Sequence, residues 1–296
     1  MKRQRCATLC PTKARLPAGS AQVAWMRAAA LLFLLLAAPQ AAPQAAADET
    51  QCDPCRLASG GSFRVLAPPD WDGHTKLPLL MFLHGYANEG ADVLADADVT
   101  GPAGALGFLL VAPDGQSGSW SHQGSPSQAR DDRLFLHGVL AEVKRRWPVD
   151  TRLVVLGGFS QGASMVWDMA CFAPLGFSAF LPFSGGFWER MPTACTAPVN
   201  LRHVHGTADT MVPLAGRAVL DHWQQADIGR GFAIWRETDH CTAPPERRVH
   251  ESGLECEVWT CHTRRTLELC LHPGGHEMEA GWLEDGLRWA RGASAR

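Results

Sequence analysis

The chain has 296 residues, of which 46% are hydrophobic, and its 27 basic and 30 acidic side chains give a formal net charge of −3. This length and apolar content suffice for one globular domain with a large core. The acidic balance argues against nucleic acid or an anionic membrane surface as a partner, because both attract basic proteins.

The first 47 residues have the composition of a secretory signal peptide. Six basic residues, the last of them Arg27, precede the apolar run Ala28–Ala38, and the small residues Ala45–Ala47 stand just before Asp48. The apolar run of 11 residues is too short to cross a bilayer, so we expect no membrane anchor. Met26 is an alternative start, because Met26 and Arg27 followed by this run already make a complete signal.

Residues 48–296 are predicted to form a single catalytic domain in which strands and helices alternate. We expect strands near Ser62–Leu66, Leu79–Leu83, Phe108–Ala112, Leu153–Leu156, Phe177–Phe183, Val199–His203, Glu257 and Leu267, and helices near Asp131–Arg146, Gln161–Cys171, Ala215–Gln225 and Ala280–Ala290. This alternation predicts an α/β fold with a mostly parallel sheet flanked by helices. In such sheets, ligands collect at the carboxyl ends of the strands.

The first functional segment follows the apolar run Lys76–Leu83, which has the pattern of a buried strand. This run leads into His84-Gly85-Tyr86, where backbone N–H groups at a strand end can bind a negatively charged oxygen. We assign this oxyanion role to the backbone N–H groups of Tyr86 and Gln161.

Trp120 lies in the predicted loop Ser117–Gln123, which follows the turn sequence Pro113-Asp114-Gly115. Its indole offers a flat apolar face for acyl or aromatic groups. We therefore expect Trp120 to form a wall of the substrate site.

The most specific motif is Gly158-Phe159-Ser160-Gln161-Gly162, which lies between an apolar β-branched run and a helix-compatible run. This strand–turn–helix context is that of a nucleophile elbow, a turn so sharp that flanking side chains would collide. Ser160 is the predicted covalent nucleophile. A serine hydroxyl needs an imidazole to take its proton and a carboxylate to orient that imidazole.

An acid and a histidine follow the serine in the order expected of such a triad. Asp209 stands at the junction between a predicted strand and a loop that is closed by Pro213, and is the predicted acid. His276 follows two glycines on a predicted mobile loop, and is the predicted general base and acid. His272 is the competitor, but it precedes a proline and is expected to stay at the end of its strand.

Two motifs resemble halves of a metal site. His203 and His205 share one face of a predicted strand, and His84 is the candidate to join them. No third ligand has motif spacing, so we predict no metal. Cys52-x-x-Cys55 is a redox or zinc half-site or a structural bridge near the mature N-terminus, and the absence of a second pair favours the bridge.

Eight of the ten cysteines follow the leader, an even number that favours disulfides in an exported chain. Cys256 and Cys270 flank a predicted hairpin and are placed to face each other across its strands. Cys171 with Cys195 is a further expected pair.

Five segments together resemble the α/β-hydrolase esterases that include polyhydroxybutyrate depolymerases and feruloyl or acetylxylan esterases. They are LHGY, PDG, GFSQG, HGTAD followed by VP, and GGH, and the resemblance runs from about Gly61 to the C-terminus. It implies the α/β-hydrolase fold and a cysteine pair, Cys241 with Cys261, before the catalytic histidine. The chain departs from the family at Ala163, where a second glycine is common, and at Glu277-Met278, where the family commonly has Trp-Pro.

The residues and the resemblance predict a secreted, extracellular or periplasmic, serine esterase that works through an acyl-enzyme and needs no cofactor. Its partner is an ester substrate, small or polymeric, and the first expectation is a polyhydroxybutyrate depolymerase-like activity. The alternatives are a feruloyl or acetylxylan esterase acting on plant cell-wall esters, or a small carboxylesterase, since GFSQG and HGTAD also resemble carboxylesterases and acyl-protein thioesterases. The alternative from another class is a catalytically silent hydrolase fold that binds a ligand or partner.

Overall fold

A computed structural model of the protein describes residues 52–241 and 244–294, and the predicted signal peptide lies outside these residues. The described strands are β1 (Cys55–Arg56), β2 (Ser62–Leu66), β3 (Leu77–Leu83), β4 (Leu109–Pro113), β5 (Val149–Phe159), β6 (Ala179–Phe183), β7 (Leu201–Gly206), β8 (Arg217–Val219), β9 (Trp223–Gln225), β10 (Arg247–Glu251), β11 (Leu254–Thr260) and β12 (Thr266–His272). The described helices are α1 (Gly90–Ala95), α2 (Ala97–Ala105), α3 (Asp132–Arg146), α4 (Gln161–Phe172), α5 (Ile228–Thr238) and α6 (Ala280–Ser294).

Ten of these strands form one sheet in the order β1-β2-β4-β3-β5-β6-β7-β12-β11-β10. The central strands from β4 to β12 pair in parallel. The strands at both edges pair antiparallel. The mostly parallel sheet confirms the α/β class predicted from the alternation of strands and helices.

Helices cover both faces of this sheet, and each face has its own apolar core. Leu136 of α3, Val166 of α4 and Phe232 of α5 are buried in one core. Val99 of α2 and Leu287 of α6 are buried in the other. Because the central strands are covered on both sides, β3, β4 and β6 are apolar along their length rather than alternating, which is why they could be recognised in the sequence.

The segment between Asp209 and α5 differs from the sequence prediction. The helix predicted at Ala215–Gln225 is wrong, since β8 and β9 form an antiparallel hairpin there. Gly216 and Leu220, immediately before and after β8, have positive φ angles, so the backbone turns at these two residues and cannot continue as a helix. The nearby helix is α5, which begins only after Asp227, whose side chain accepts a hydrogen bond from the N–H of Arg230.

Four disulfides link the eight described cysteines, and they join Cys52 to Cys55, Cys171 to Cys195, Cys241 to Cys261, and Cys256 to Cys270. Cys256 and Cys270 face each other directly across β11 and β12. Among the described helices, none combines the length and apolar character that a bilayer-spanning segment requires.

Candidate active site

Strand β5 ends in a tight turn that places Ser160 at the start of α4. The backbone of Ser160 has φ 57° and ψ −119°, a conformation that residues other than glycine rarely adopt. A Cβ atom at Gly158 would lie 2.8 Å from the carbonyl carbon of Gly162, and one at Gly162 would lie 2.5 Å from the carbonyl oxygen of His84. The two glycines are therefore required for the turn.

The structure brings Ser160, His276 and Asp209 into one hydrogen-bonded line. Nε2 of His276 lies 2.8 Å from Oγ of Ser160, and Nδ1 lies 2.7 Å from Oδ2 of Asp209. The Asp209 side chain is fully buried, while the His276 side chain is 17% exposed. A buried carboxylate of this kind favours the tautomer with the proton on Nδ1, which leaves the lone pair of Nε2 facing the serine.

The Asp209 carboxylate is oriented by its own loop. Oδ1 accepts hydrogen bonds from the N–H groups of Met211 and Val212, both at 2.8 Å. Oδ2 is therefore left to face His276. The short acidic side chain before Val212 and Pro213 thus folds back onto its own backbone, as aspartates often do in turns.

The loops that carry Asp209 and His276 are tied together, because β7 and β12 are direct parallel neighbours. The N–H of Thr207 donates to the carbonyl of His272 at 2.8 Å, and that of Ala208 donates to the carbonyl of Gly274 at 3.0 Å. Gly206 permits this approach, since a Cβ atom there would lie 2.5 Å from the Gly274 carbonyl oxygen. Main-chain contacts therefore set the separation of acid and imidazole.

His272, the competing histidine, lies elsewhere. Its side chain is buried, its Nδ1 accepts a hydrogen bond from the N–H of Gly274 at 3.2 Å, and its ring packs 4.3 Å from that of Trp282. Burial lowers its pKa. The structure therefore places His276, and not His272, against Ser160.

Tyr86 and Gln161, the residues whose backbone N–H groups are assigned to the oxyanion, line the cleft that contains Ser160. Neither N–H donates to an acceptor within residues 52–241 and 244–294. The loop of Tyr86 is held by the neighbouring His84, whose Nδ1–H donates to the Gly85 carbonyl at 2.7 Å and whose Nε2 accepts from the N–H of Gly115 at 2.9 Å. Burial lowers the pKa of His84 and so favours the neutral ring that this pair of bonds requires.

His203 and His205 hydrogen-bond to each other at 2.9 Å inside the core. The rings of both are fully buried, and burial lowers the pKa of each. Across the part of the chain that the structure describes, no group of three His, Cys, Asp or Glu side chains is arranged to hold a metal ion.

The cleft beside Ser160 has a volume of about 460 Å³. Its lining residues are Tyr86, Pro126, Ser127, Ser160, Gln161, Ser164, Trp188, Met211, Val212, Arg217, Val219, Leu220 and Gln225. Much of one side therefore comes from the hairpin β8–β9 and the loop before it, which no sequence motif indicated.

The prediction that Trp120 forms a wall of the cleft is wrong. Its side chain is fully buried in the core, and its indole N–H donates to the carbonyl of His84 at 2.9 Å, beneath the Tyr86 loop. The tryptophan that lines the cleft is Trp188. It follows β6 without any recognisable motif, so nothing in the sequence distinguished it from the other tryptophans.

Sequence comparison finds a family model and relatives that are named as esterases. Residues 131–235 match the family model described as phospholipase/carboxylesterase. The chain is 26% identical over 216 residues to a bifunctional acetylxylan esterase/xylanase of Neocallimastix patriciarum, a match that covers 69% of this chain but only 28% of that protein. It is 23% identical over 216 residues to the probable feruloyl esterase C of Aspergillus niger, covering 66% of this chain and 76% of that protein.

Solved structures share the fold at low sequence identity. The acetyl xylan esterase from Aspergillus awamori has a TM-score of 0.57 at 13% identity, covering 78% of this chain and 93% of that one. The Bacillus cereus carboxylesterase has a TM-score of 0.52 at 14% identity, covering 79% of this chain and 94% of that one. The shared fold, the matched family model and the related sequences together support a carboxylic ester hydrolase with the α/β-hydrolase fold, similar to feruloyl and acetylxylan esterases.

Proposed function

We propose that Ser160 is the nucleophile of this esterase, His276 its general base and acid, and Asp209 the carboxylate that orients the imidazole. The observation that carries the proposal is the continuous line of hydrogen bonds from Asp209 through His276 to Ser160. A serine hydroxyl gains nucleophilicity in such a line, because its proton can pass to the imidazole as the oxygen attacks.

The reaction proceeds in two halves. Oγ of Ser160 bonds to the ester carbonyl carbon while its proton passes to Nε2 of His276, and the tetrahedral intermediate then expels the alcohol, which takes that proton. In the second half a water molecule gives a proton to Nε2 and attacks the acyl-enzyme carbonyl, and Ser160 leaves with its proton restored. The balance is one ester and one water for one acid and one alcohol.

The negative oxygen of each tetrahedral intermediate is stabilised by the backbone N–H groups of Tyr86 and Gln161. Two features support this role. Both residues line the cleft beside Ser160, and the backbone N–H group of neither donates to an acceptor among the described residues. Preorganised donors of this kind stabilise the developing charge without rearrangement at the moment of reaction.

Plant cell-wall esters are the proposed substrate class, with a feruloyl or acetyl group as the acyl part. The names of the two sequence relatives support this class, since one is an acetylxylan esterase/xylanase and the other a probable feruloyl esterase. The indole of Trp188 in the cleft supports an aromatic acyl group, because two flat rings can pack face to face or edge to face. A hydroxyalkanoate polyester, the first expectation from the sequence, is the competing substrate in the test below.

We also propose that the protein works outside the cytoplasm. Four disulfides among the described residues support this location, because such bonds persist in oxidising compartments. The composition of residues 1–47 supports export as well.

The proposal is tested by labelling with a fluorophosphonate and by measuring kcat/KM for methyl ferulate, 4-nitrophenyl acetate and a short hydroxybutyrate oligomer. We expect labelling and turnover that Ser160→Ala abolishes, with methyl ferulate preferred over the oligomer. Preference for the oligomer would assign the polyester instead. Failure of the fluorophosphonate to label the folded chain would indicate a silent binding protein.

The histidine assignment has a matched control within the same loop. His276→Ala should abolish turnover and labelling, whereas His272→Ala should retain labelling, since its ring contacts Trp282 and not Ser160. Circular dichroism establishes that both variants are folded. The reverse pattern would overturn the role of His276.

A further inference from the structure

Gln225, the last residue of β9, has a side chain whose hydrogen-bonding groups are unused. The residue is 7% exposed and lines the cleft that contains Ser160. Its Oε1 atom is buried without a hydrogen-bond partner. Its Nε2 atom also makes no hydrogen bond to any residue within 52–241 and 244–294. Leaving the buried oxygen of an amide unpaired is unfavourable, so a partner from outside the chain is the natural explanation.

A second glutamine in the same cleft shows the contrast. Oε1 of Gln161 accepts a hydrogen bond from the hydroxyl of Ser119 at 3.1 Å and one from the N–H of Trp120 at 3.3 Å. Its Nε2 donates to the same hydroxyl at 2.8 Å. The amide of Gln161 therefore has a structural role, and the amide of Gln225 has none within the described residues.

The backbone around Gln225 is held firmly. The N–H of Ala226 donates to the Phe187 carbonyl at 3.0 Å, and the N–H of Glu189 donates to the Gln224 carbonyl at 2.8 Å. A β-bridge also joins Gln225 to Trp188, which lines the same cleft. The backbone that carries the unpaired amide is therefore held beside Trp188, which limits where the amide can lie.

We propose that the Gln225 amide recognises a hydroxyl group carried by the ester substrate, and so selects hydroxylated esters over their deoxy analogues. A carboxamide offers both a donor and an acceptor, and a hydroxyl group can satisfy both, whereas a hydrocarbon satisfies neither. The hydroxyl has two chemical sources, the phenol of an aromatic acid and the alcohol of a hydroxyalkanoic acid. This inference rests on the proposed function, since it takes the cleft beside Ser160 as the ester site.

The test compares esters that differ by one hydroxyl. The aromatic pair is methyl 4-hydroxycinnamate and methyl cinnamate, and the aliphatic pair is ethyl 3-hydroxybutyrate and ethyl butyrate. The wild-type protein should prefer the hydroxylated member of one pair in kcat/KM, and the pair that shows the preference identifies the source. Gln225→Met, which keeps the length of the side chain, should reduce that preference about five- to tenfold, which is typical of one lost neutral hydrogen bond.

Gln224→Met is the matched control, because Gln224 is the exposed neighbour on the same strand and does not line this cleft. It should leave the preference unchanged. Gln225→Met should lose rate on the hydroxylated ester alone and should not lower the melting temperature, because it removes an unpaired buried amide. If it does not fold, Gln225→Asn, which shortens the reach of the amide, takes its place. A preference that survives in the folded Gln225 variant, or that is absent from a wild type that hydrolyses the esters of both pairs, overturns the inference.

Failure of the proposed function is detected separately. Turnover of 4-nitrophenyl acetate and labelling by the fluorophosphonate report on Ser160 and need no hydroxyl group. Calorimetry measures the binding of the four esters to the Ser160→Ala chain without turnover. The difference in affinity within each pair of esters reports on Gln225. Loss of hydroxyl discrimination in the Ser160→Ala, Gln225→Met double variant supports the inference even if the chain hydrolyses none of the four, and equal binding of each pair by Ser160→Ala overturns it.

Discussion

Trp167 donates its indole N–H to Nδ1 of His203 at 3.3 Å, and this contact fixes the protons of a buried histidine pair behind Asp209. Because Nδ1 of His203 accepts, its Nε2 carries the proton and donates to Nδ1 of His205 at 2.9 Å. His205 then donates from Nε2 to the Val212 carbonyl at 2.7 Å. The N–H of Val212 in turn donates to Asp209, so the pair supports the loop that orients the acid.

His205→Leu should therefore lower kcat/KM by roughly 10²-fold, because it releases the Val212 carbonyl and loosens the Asp209 loop, and small displacements of catalytic groups have effects of this size. His250→Leu is the control, since His250 is an exposed histidine on β10. The measurement is the steady-state kcat/KM of the wild type and the two variants, compared at equal folded fraction. Full activity in a folded His205→Leu variant would show that the pair supports only the core.

Asp209→Asn should lower kcat by roughly 10³- to 10⁴-fold, because an amide can donate to Nδ1 of His276 and reverse the tautomer that faces Ser160. The fold should survive, since the Asn oxygen can still accept from the N–H groups of Met211 and Val212. Asp70→Asn, at an exposed aspartate, is the matched control. A loss of less than tenfold would place the orienting acid elsewhere.

Gly162→Ala should destabilise the protein by about 3 kcal/mol or more, because its Cβ would collide with the carbonyl oxygen of His84 at 2.5 Å and the backbone has little room to move. Gly292→Ala, in open space on α6, should instead raise the free energy of unfolding by about 0.5–1 kcal/mol, the usual helix preference for alanine over glycine. Denaturant titration measures both. Similar small effects at the two sites would mean that the elbow tolerates a side chain.

Asp239 should make the protein less stable as the pH rises from about 4 to about 7. Its carboxyl group is buried at the end of α5, and burial raises its pKa from 3.8 to about 7. Between these values the folded state holds a proton that the unfolded state has lost, so the contribution of Asp239 is largest at low pH and declines through this window. Each unit of pKa difference is worth about 1.4 kcal/mol.

Asp239→Asn should remove this decline, because the neutral amide can still accept from the Val199 N–H with no charge to bury. The measurement is the difference in unfolding free energy between variant and wild type across pH 4 to 8, with exposed Asp221→Asn as control. The difference should grow in favour of Asp239→Asn as the pH rises. A constant difference would mean that the carboxyl group ionises freely in the folded state.

Local sequence patterns predicted the central sheet and the position of the nucleophile elbow at Ser160. Strands β3, β4 and β6 are apolar throughout because helices cover both faces of the sheet, and Gly158 and Gly162 flank Ser160 because no larger residue fits there. The structure also brings together Ser160, Asp209 and His276, each selected because it follows a predicted strand. Their catalytic roles stay predictions until the variants above are measured.

Non-local contacts explain the failures. The segment at Ala215–Gln225 has residues compatible with a helix, but β9 is held by the Phe187 and Glu189 backbone, which lies far from it in the sequence. Trp120 and Trp188 are chemically identical, and only the folded chain decides which is buried and which faces the cleft. Gln225 carries no motif at all, since its unpaired amide is visible only once its neighbours are known.

The hairpin β8–β9 forms a two-stranded sheet of its own and, among the described strands, pairs with none of the ten in the central sheet. It lies in the sequence between Asp209 and His276 yet contributes neither, while four of its residues, Arg217, Val219, Leu220 and Gln225, line the cleft. Substitutions in this hairpin therefore leave the strand pairing of the ten-stranded sheet unchanged. A library confined to Val219, Leu220 and Gln225 would explore new ester selectivity while the strands that carry Ser160, His276 and Asp209 stay unchanged. Arg217 is kept, because its Nε donates to the Met211 carbonyl at 2.8 Å in the loop that orients Asp209.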